Sequence, residues 1–170
     1  MFTRPARLLP LLLLLAGCAV PPGLYVERPG TVFRLEKPIV IPANTAHLTF
    51  QNGRAIREAG PLQGADFYYP HCWLDIGEVA PRPRTVAPGD YRLIRVRDDS
   101  ELFSAPATVL FRTDFTLRNA RGRRLTLVCA QLDDAWEFDY VTRAQMQRAL
   151  GAFITIHPPS DSETGRENGG

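Results

Sequence analysis

The chain has 170 residues, 20 Lys+Arg against 18 Asp+Glu and a formal charge of +2. That length suits one domain with its own core once an N-terminal segment is set aside. The near balance of charge leaves no whole-protein basic field of the kind nucleic acid requires, so nucleic acid is not an expected partner.

Residues 1–17 have the layout of a secretory signal: Arg4 and Arg7, an apolar run from Leu8 to Leu15 broken only by Pro10, then small residues. The apolar part is about ten residues, roughly half of what a membrane-spanning helix needs. Leu15-Ala16-Gly17-Cys18 resembles the lipobox of bacterial lipoproteins. The resemblance implies cleavage before Cys18, a diacylglyceryl thioether on its sulfur and acylation of its new amino group. Cys18 is thus the expected lipidation site, and the membrane an expected partner through that anchor. One acyl chain, at roughly 0.8 kcal/mol per buried methylene, holds a protein marginally, whereas three make release negligible. Ala19 and Val20 follow the cysteine in place of the Asp that retains such lipoproteins at the inner membrane, which implies the outer membrane and its periplasmic face. Arg4 and Arg7 leave with the signal, so the mature chain carries 18 basic against 18 acidic residues and is neutral.

Residues 18–30 read as a lipidated N-terminus and tether, because Pro21, Pro22, Gly23, Pro29 and Gly30 resist regular structure. The folded unit is expected over 31–158. Its fold class is mainly β: a small antiparallel sandwich or barrel with one short C-terminal helix. Alternation and β-branched or aromatic content predict strands over Thr31–Glu36 and Ala46–Gln51, the latter ending in the turn Asn52-Gly53. A further strand is expected over Asp66–Ile76, bent at Pro70. Pro81–Gly89 reads as a proline-rich connection closing in a turn, before a strand Tyr91–Arg97 with Asp98-Asp99-Ser100 at its exit. Val109–Leu117 and Arg124–Gln131 read as hairpin partners joined around Asn119-Ala120-Arg121-Gly122.

A helix is expected over Arg143–Leu150. Thr142 and Gln145 form a capping box, Val141 and Met146 a hydrophobic staple, and Gly151 ends it. Two turns are too short to stand alone, so Met146 and Leu150 should pack on the sheet. Phe153–Ile156 reads as a last strand. Residues 159–170, with no apolar side chain from Ser160 onward, read as a disordered tail.

Cys18 apart, two cysteines remain. An exported chain meets an oxidising compartment. By strand alternation Cys72 shares its face with Leu74 and Ile76, and Cys129 with Leu125 and Leu127. Both sulfurs then point into the core and a disulfide is expected, with two free buried thiols, or a metal or catalytic role, as alternatives. His71 adjoins Cys72 but projects to the opposite face of a regular strand, so the pair makes no Cys–His nucleophile. His47, His71 and His157 are too far apart in sequence for a zinc spacing. The acidic run Asp133, Asp134, Glu137 and Asp139 lacks the glycine and spacing of a calcium loop. No catalytic motif, metal site or cofactor is expected.

Arg118, Arg121, Arg123 and Arg124 crowd the expected hairpin tip. They are either a contact for headgroup phosphates or an acidic partner, or a solvated tip kept polar against edge pairing. Phe67, Tyr68, Tyr69 and Trp73 either line a groove or divide between core and surface. Tyr69-Pro70-His71-Cys72-Trp73-Leu74-Asp75, with Leu127-Val128-Cys129 and Ala149-Leu150-Gly151, resembles a group of small uncharacterised proteobacterial envelope lipoproteins. That resemblance spans Thr31–Ile156 and implies an address and a fold rather than an activity. The expected function is a non-catalytic binding or assembly module with an envelope protein as partner. Alternatives are a periplasmic carrier of an apolar ligand such as a lipid, and an enzyme without a readable motif.

Overall fold

A computed structural model describes residues 27–57, 64–136 and 140–159. The expected signal, Cys18, the tether before Glu27 and the tail after Pro159 lie outside the described residues. The elements in chain order are β1 (Val32–Leu35), β2 (Ile39–Ile41), β3 (His47–Gln51), β4 (Arg54–Ile56), β5 (His71–Asp75), β6 (Arg84–Val86), β7 (Gly89–Ser104), β8 (Thr108–Asn119), β9 (Arg124–Asp134), α1 (Arg143–Leu150) and β10 (Ile154–His157). Eight strands form one antiparallel sheet, order β10-β1-β7-β8-β9-β5-β3-β4, curled into a half-barrel; β2 and β6 form a two-stranded sheet beside it.

Alternation decides what each face of the large sheet carries. Register places Phe50, Cys72, Cys129 and Thr113 in one transverse row and Leu48, Leu74, Leu127 and Phe115 in the next. These side chains are buried and, with Phe33, Leu35, Leu93 and Leu117, fill the inside of the curl. Cys72 and Cys129 stand opposite each other with Cα atoms 4.0 Å apart and are joined by a disulfide. A disulfide points to an extracytoplasmic compartment. Among the described residues no helix is long and apolar enough to cross a membrane.

The helix α1 closes the open side of the curl, touching β3, β5 and β10 and burying Met146, Ala149 and Leu150. Its capping box is formed by Thr142 and Gln145. On its far side, Gln147 finishes the edge strand β10. Its side-chain nitrogen donates to the carbonyls of Ile154 (3.0 Å) and Gly151 (3.2 Å), and its oxygen accepts from the N–H of Ile156 (3.1 Å). An amide side chain thus stands where a further strand would pair. The domain's contacts also reach back into the stretch read as tether. Glu27 is buried, is ion-paired with Arg143 and accepts from Thr31 Oγ1.

The short strands β2 and β4 are not expected from the sequence, and three further features differ from its reading. The strand expected over Asp66–Ile76 begins only at His71. Pro70 has no N–H to give a ladder, and residues 66–69 form a loop. The Gln51 amide pins this loop, donating to the carbonyls of Asp66 (2.7 Å) and Tyr69 (3.2 Å) and accepting from the N–H of Asp66 (3.0 Å). The strand expected to exit at Asp98 runs on to Ser104 because its acidic residues have cross-strand partners. Asp98 accepts from Thr113 Oγ1 at 2.7 Å and Asp99 from Arg112 at 3.0 Å. The proline-rich connection contains β6, whose three residues lie between Pro83 and Pro88 and pair only with β2, so neither proline is asked to donate.

Candidate functional site

The loop joining β8 to β9 is set by one side chain. Asn119 Oδ1 accepts from the N–H groups of Arg121 (3.0 Å) and Arg123 (2.9 Å), while Gly122 at φ +82° turns the chain back. Arg121 and Arg123 are presented to solvent from this fixed turn. Arg118 and Arg124 are direct cross-strand partners at its base, on the face of the sheet away from the core.

The fold adds a member that the sequence did not show. Arg92 on β7 is the cross-strand partner of Arg118 on β8, so Arg92, Arg118 and Arg124 form one row over three adjacent strands. Directly opposed side chains have Cβ atoms roughly 4.5–5.5 Å apart, and like charges placed so are destabilising. Among the described residues none of Arg92, Arg118, Arg121, Arg123 and Arg124 makes an ion pair. The nearby carboxylate of Asp90 is committed chiefly to Arg34, and its attraction to Arg92 is the smallest of those acting on it. Arg34 donates to both its oxygens (2.7 and 3.1 Å), and that hydrogen bond holds the carboxyl below its usual range. Arg92 was hidden in the sequence because 26 residues separate it from Arg118. Its one available signal was the alternation that puts it opposite in facing to the buried Leu93.

The chain enters the sheet beside this row. Gly30 N–H donates to Leu93 O, and Leu93 N–H to Thr31 O, one residue from Arg92. Chain entry and arginine face therefore share one region of the molecule.

The other expected positions fall elsewhere. Phe67, Tyr68 and Tyr69 are exposed on the loop held by Gln51, and Leu132 N–H bonds Phe67 O at 2.7 Å to fix the loop against β9. His71 lies on the outer face, away from Cys72, between the edge of the Phe67 ring (5.0 Å) and the Trp73 ring stacked at 5.8 Å. His71 is 1% exposed. Its Nδ1 lies 3.0 Å from Tyr69 O, which makes it the protonated nitrogen, and its Nε2 is buried without a hydrogen-bond partner. Burial pushes the imidazole below its usual range, against smaller opposing effects of the Tyr69 carbonyl and Asp66. A buried neutral histidine gives a signed expectation. The unfolded chain binds the proton near pH 6.5 and the folded one only at lower pH. This contribution to stability is therefore complete above about pH 6.5 and is lost as pH falls below it, at most about 1.4 kcal/mol per pH unit. Urea midpoints of the parent chain should fall between pH 6.5 and 5, and His71→Phe should flatten that slope. An unchanged slope would remove His71 as its source.

An open groove of about 520 Å³ lies elsewhere, with Ile39, Leu48 and Phe153 among its apolar lining and Lys37, Arg54 and Arg57 among its cations. The Lys37 ammonium sits 3.7 Å from the Phe153 ring centroid.

No family model, no curated protein and no solved structure matches this chain.

Proposed function

We propose that this protein is a lipid-anchored envelope lipoprotein, held through Cys18 at the periplasmic face of the outer membrane, that acts as a non-catalytic binding or assembly module. Its working surface is the arginine face, and its partner is an acidic surface of another envelope protein. The observation that carries this reading is the row Arg92–Arg118–Arg124, three directly opposed cations without a carboxylate among them. A fold gains nothing from that row, whereas an acidic partner relieves its repulsion and accepts the paired donors of each guanidinium. Glu27 lies nine positions beyond Cys18, at most about 30 Å of extended chain, so the anchor keeps the domain near its membrane.

The test is in-cell crosslinking of the tagged full chain with mass identification of what remains attached. An acidic envelope protein should be captured by the parent chain and reduced about tenfold or more by Arg118→Glu. The same substitution should raise stability by about 0.5 kcal/mol, because the introduced carboxylate would face Arg92 and Arg124 as an opposite charge. Loss of capture together with a gain of stability separates a docking role from a structural one; capture that survives the reversal ends the proposal. Labelled palmitate should enter the parent chain and not Cys18→Ser, and equal labelling would refute the anchor.

A second reading is favoured by the groove along Ile39, Leu48 and Phe153. Its apolar surface and its cations Lys37, Arg54 and Arg57 suit an acidic amphiphile such as a lipid. Repeated absence of a protein partner with lipid co-purifying would put this carrier reading first.

A further inference from the structure

The strand β7 is covered on one side by β8 along its length, but β1 reaches only its first few residues. Beyond Leu93, among the described residues, the other side of β7 pairs with nothing. The residues from Arg97 to Ser104 are mostly exposed. We infer that this open edge pairs with the same edge of a second copy of the chain, antiparallel about a two-fold axis through Asp98.

Backbone alternation limits the possible registers. Leu132 N–H bonds Phe67 O on the β5 side of β9, so odd residues of β9 face β8. Carried through the pairing of β9 with β8 and of β8 with β7, this turns Arg95, Arg97, Asp99 and Glu101 toward β8. The N–H and C=O groups of Val96, Asp98, Ser100 and Leu102 therefore point outward. A self-pairing must match outward residues with outward residues, as when Asp98 meets its own copy and Val96 meets Ser100.

Charge selects this register from its neighbours. On the outer face Arg97 comes opposite Asp99 and Arg95 opposite Glu101, each twice by symmetry. Arg95 and Glu101 have no ion-pair partner among the described residues of a single chain. The register about Asp99 keeps only Arg97 with Glu101 and opposes Asp99 to itself; the register about Arg97 opposes Arg97 to itself. Charges on an open edge also serve to repel chance pairing. Here they run basic in the first half and acidic in the second, which is self-complementary when the strand meets itself antiparallel. The same register brings exposed Leu102 alongside exposed Ile94. One like pair remains, Asp98 against Asp98, on the inner face where Thr113 donates to each carboxylate. A two-fold contact consumes the edge it uses, so association stops at two.

The inference does not rest on the arginine face and is tested apart from it. The full chain carrying Asp98→Cys is oxidised mildly in the cell envelope and separated without reductant. A covalent dimer should form that is absent from the parent chain and from Ser100→Cys, whose sulfur would face Val96. Adding Arg95→Glu to Asp98→Cys should lower the dimer yield about tenfold, and adding Glu101→Arg to that pair should restore it. No dimer from Asp98→Cys, an equal yield from Ser100→Cys, indifference to Arg95→Glu, or failure of Glu101→Arg to restore the yield would each overturn the pairing.

Discussion

Replacing Cys72 and Cys129 by alanine should lower the thermal midpoint by roughly 10–20 °C. The bond joins residues 57 apart in sequence. Closing a loop of that size removes entropy from the unfolded chain worth about 4 kcal/mol in the chain-entropy model. For a domain of this length each kcal/mol moves the midpoint by about 3–5 °C. The two strands are already neighbours in the sheet, so the link acts mainly on the unfolded chain and the folded backbone should change little. Calorimetry of the parent and the double alanine variant measures the shift, with far-ultraviolet dichroism to confirm the same fold. A difference of under about 3 °C would mean that the cross-link is absent or carries no stability.

Gly151→Ala is the second large effect, with an expected loss of about 3–4 kcal/mol. Gly151 ends α1 at φ +55°, and a Cβ there would lie 2.5 Å from Gly53 Cα and 3.1 Å from its carbonyl oxygen. The obstruction is backbone, so no rotamer change relieves it. Gly53 N–H in turn donates to Ala149 O at 3.0 Å, which seats the turn between β3 and β4 on the end of α1. Separating these backbones tilts α1 off the core it covers, adding the cost of overpacking to that of a strained conformation. Gly77→Ala is the matched control. It has φ +76° with open space around it, so it should cost only about 1 kcal/mol from backbone strain. Urea midpoints of the two variants give the comparison; equal losses would show that the close approach of Gly53 and Gly151 contributes nothing.

These two sites differ in how far the sequence exposed them. The facing of Cys72 and Cys129 followed from alternation with Leu74, Leu125 and Leu127, because a strand's side chains repeat every second residue whatever lies beside it. The helix Arg143–Leu150 was legible to the residue, since its cap, staple and final glycine act within one turn of backbone. Gly151 reads as a helix terminator from the sequence, but its closeness to Gly53 does not, because nothing local joins positions 98 residues apart.

Local rules also failed where tertiary partners overrode them. Asp98-Asp99-Ser100 reads as a strand exit on propensity, yet Thr113 and Arg112 on the neighbouring strand hold the two carboxylates and the ladder continues. Phe67 to Tyr69 have strand-like side chains, yet Gln51 binds the backbone of Asp66 and Tyr69 and holds the stretch as a loop. Propensity counts the residue's own preferences and omits a partner supplied from elsewhere.

By itself the sequence determined the mainly β class, the helix Arg143–Leu150 with both its ends, and the inward facing of the two cysteines. Each of these follows from periodicity or from contacts within a few residues. The tertiary structure alone decided the strand order, the curl closed by α1, the joining of Arg92 to Arg118 and Arg124, and the open edge of β7. Each of those depends on which strands lie side by side, and pairing partners are chosen by the burial of a whole sheet face, a sum over distant residues that no local window contains.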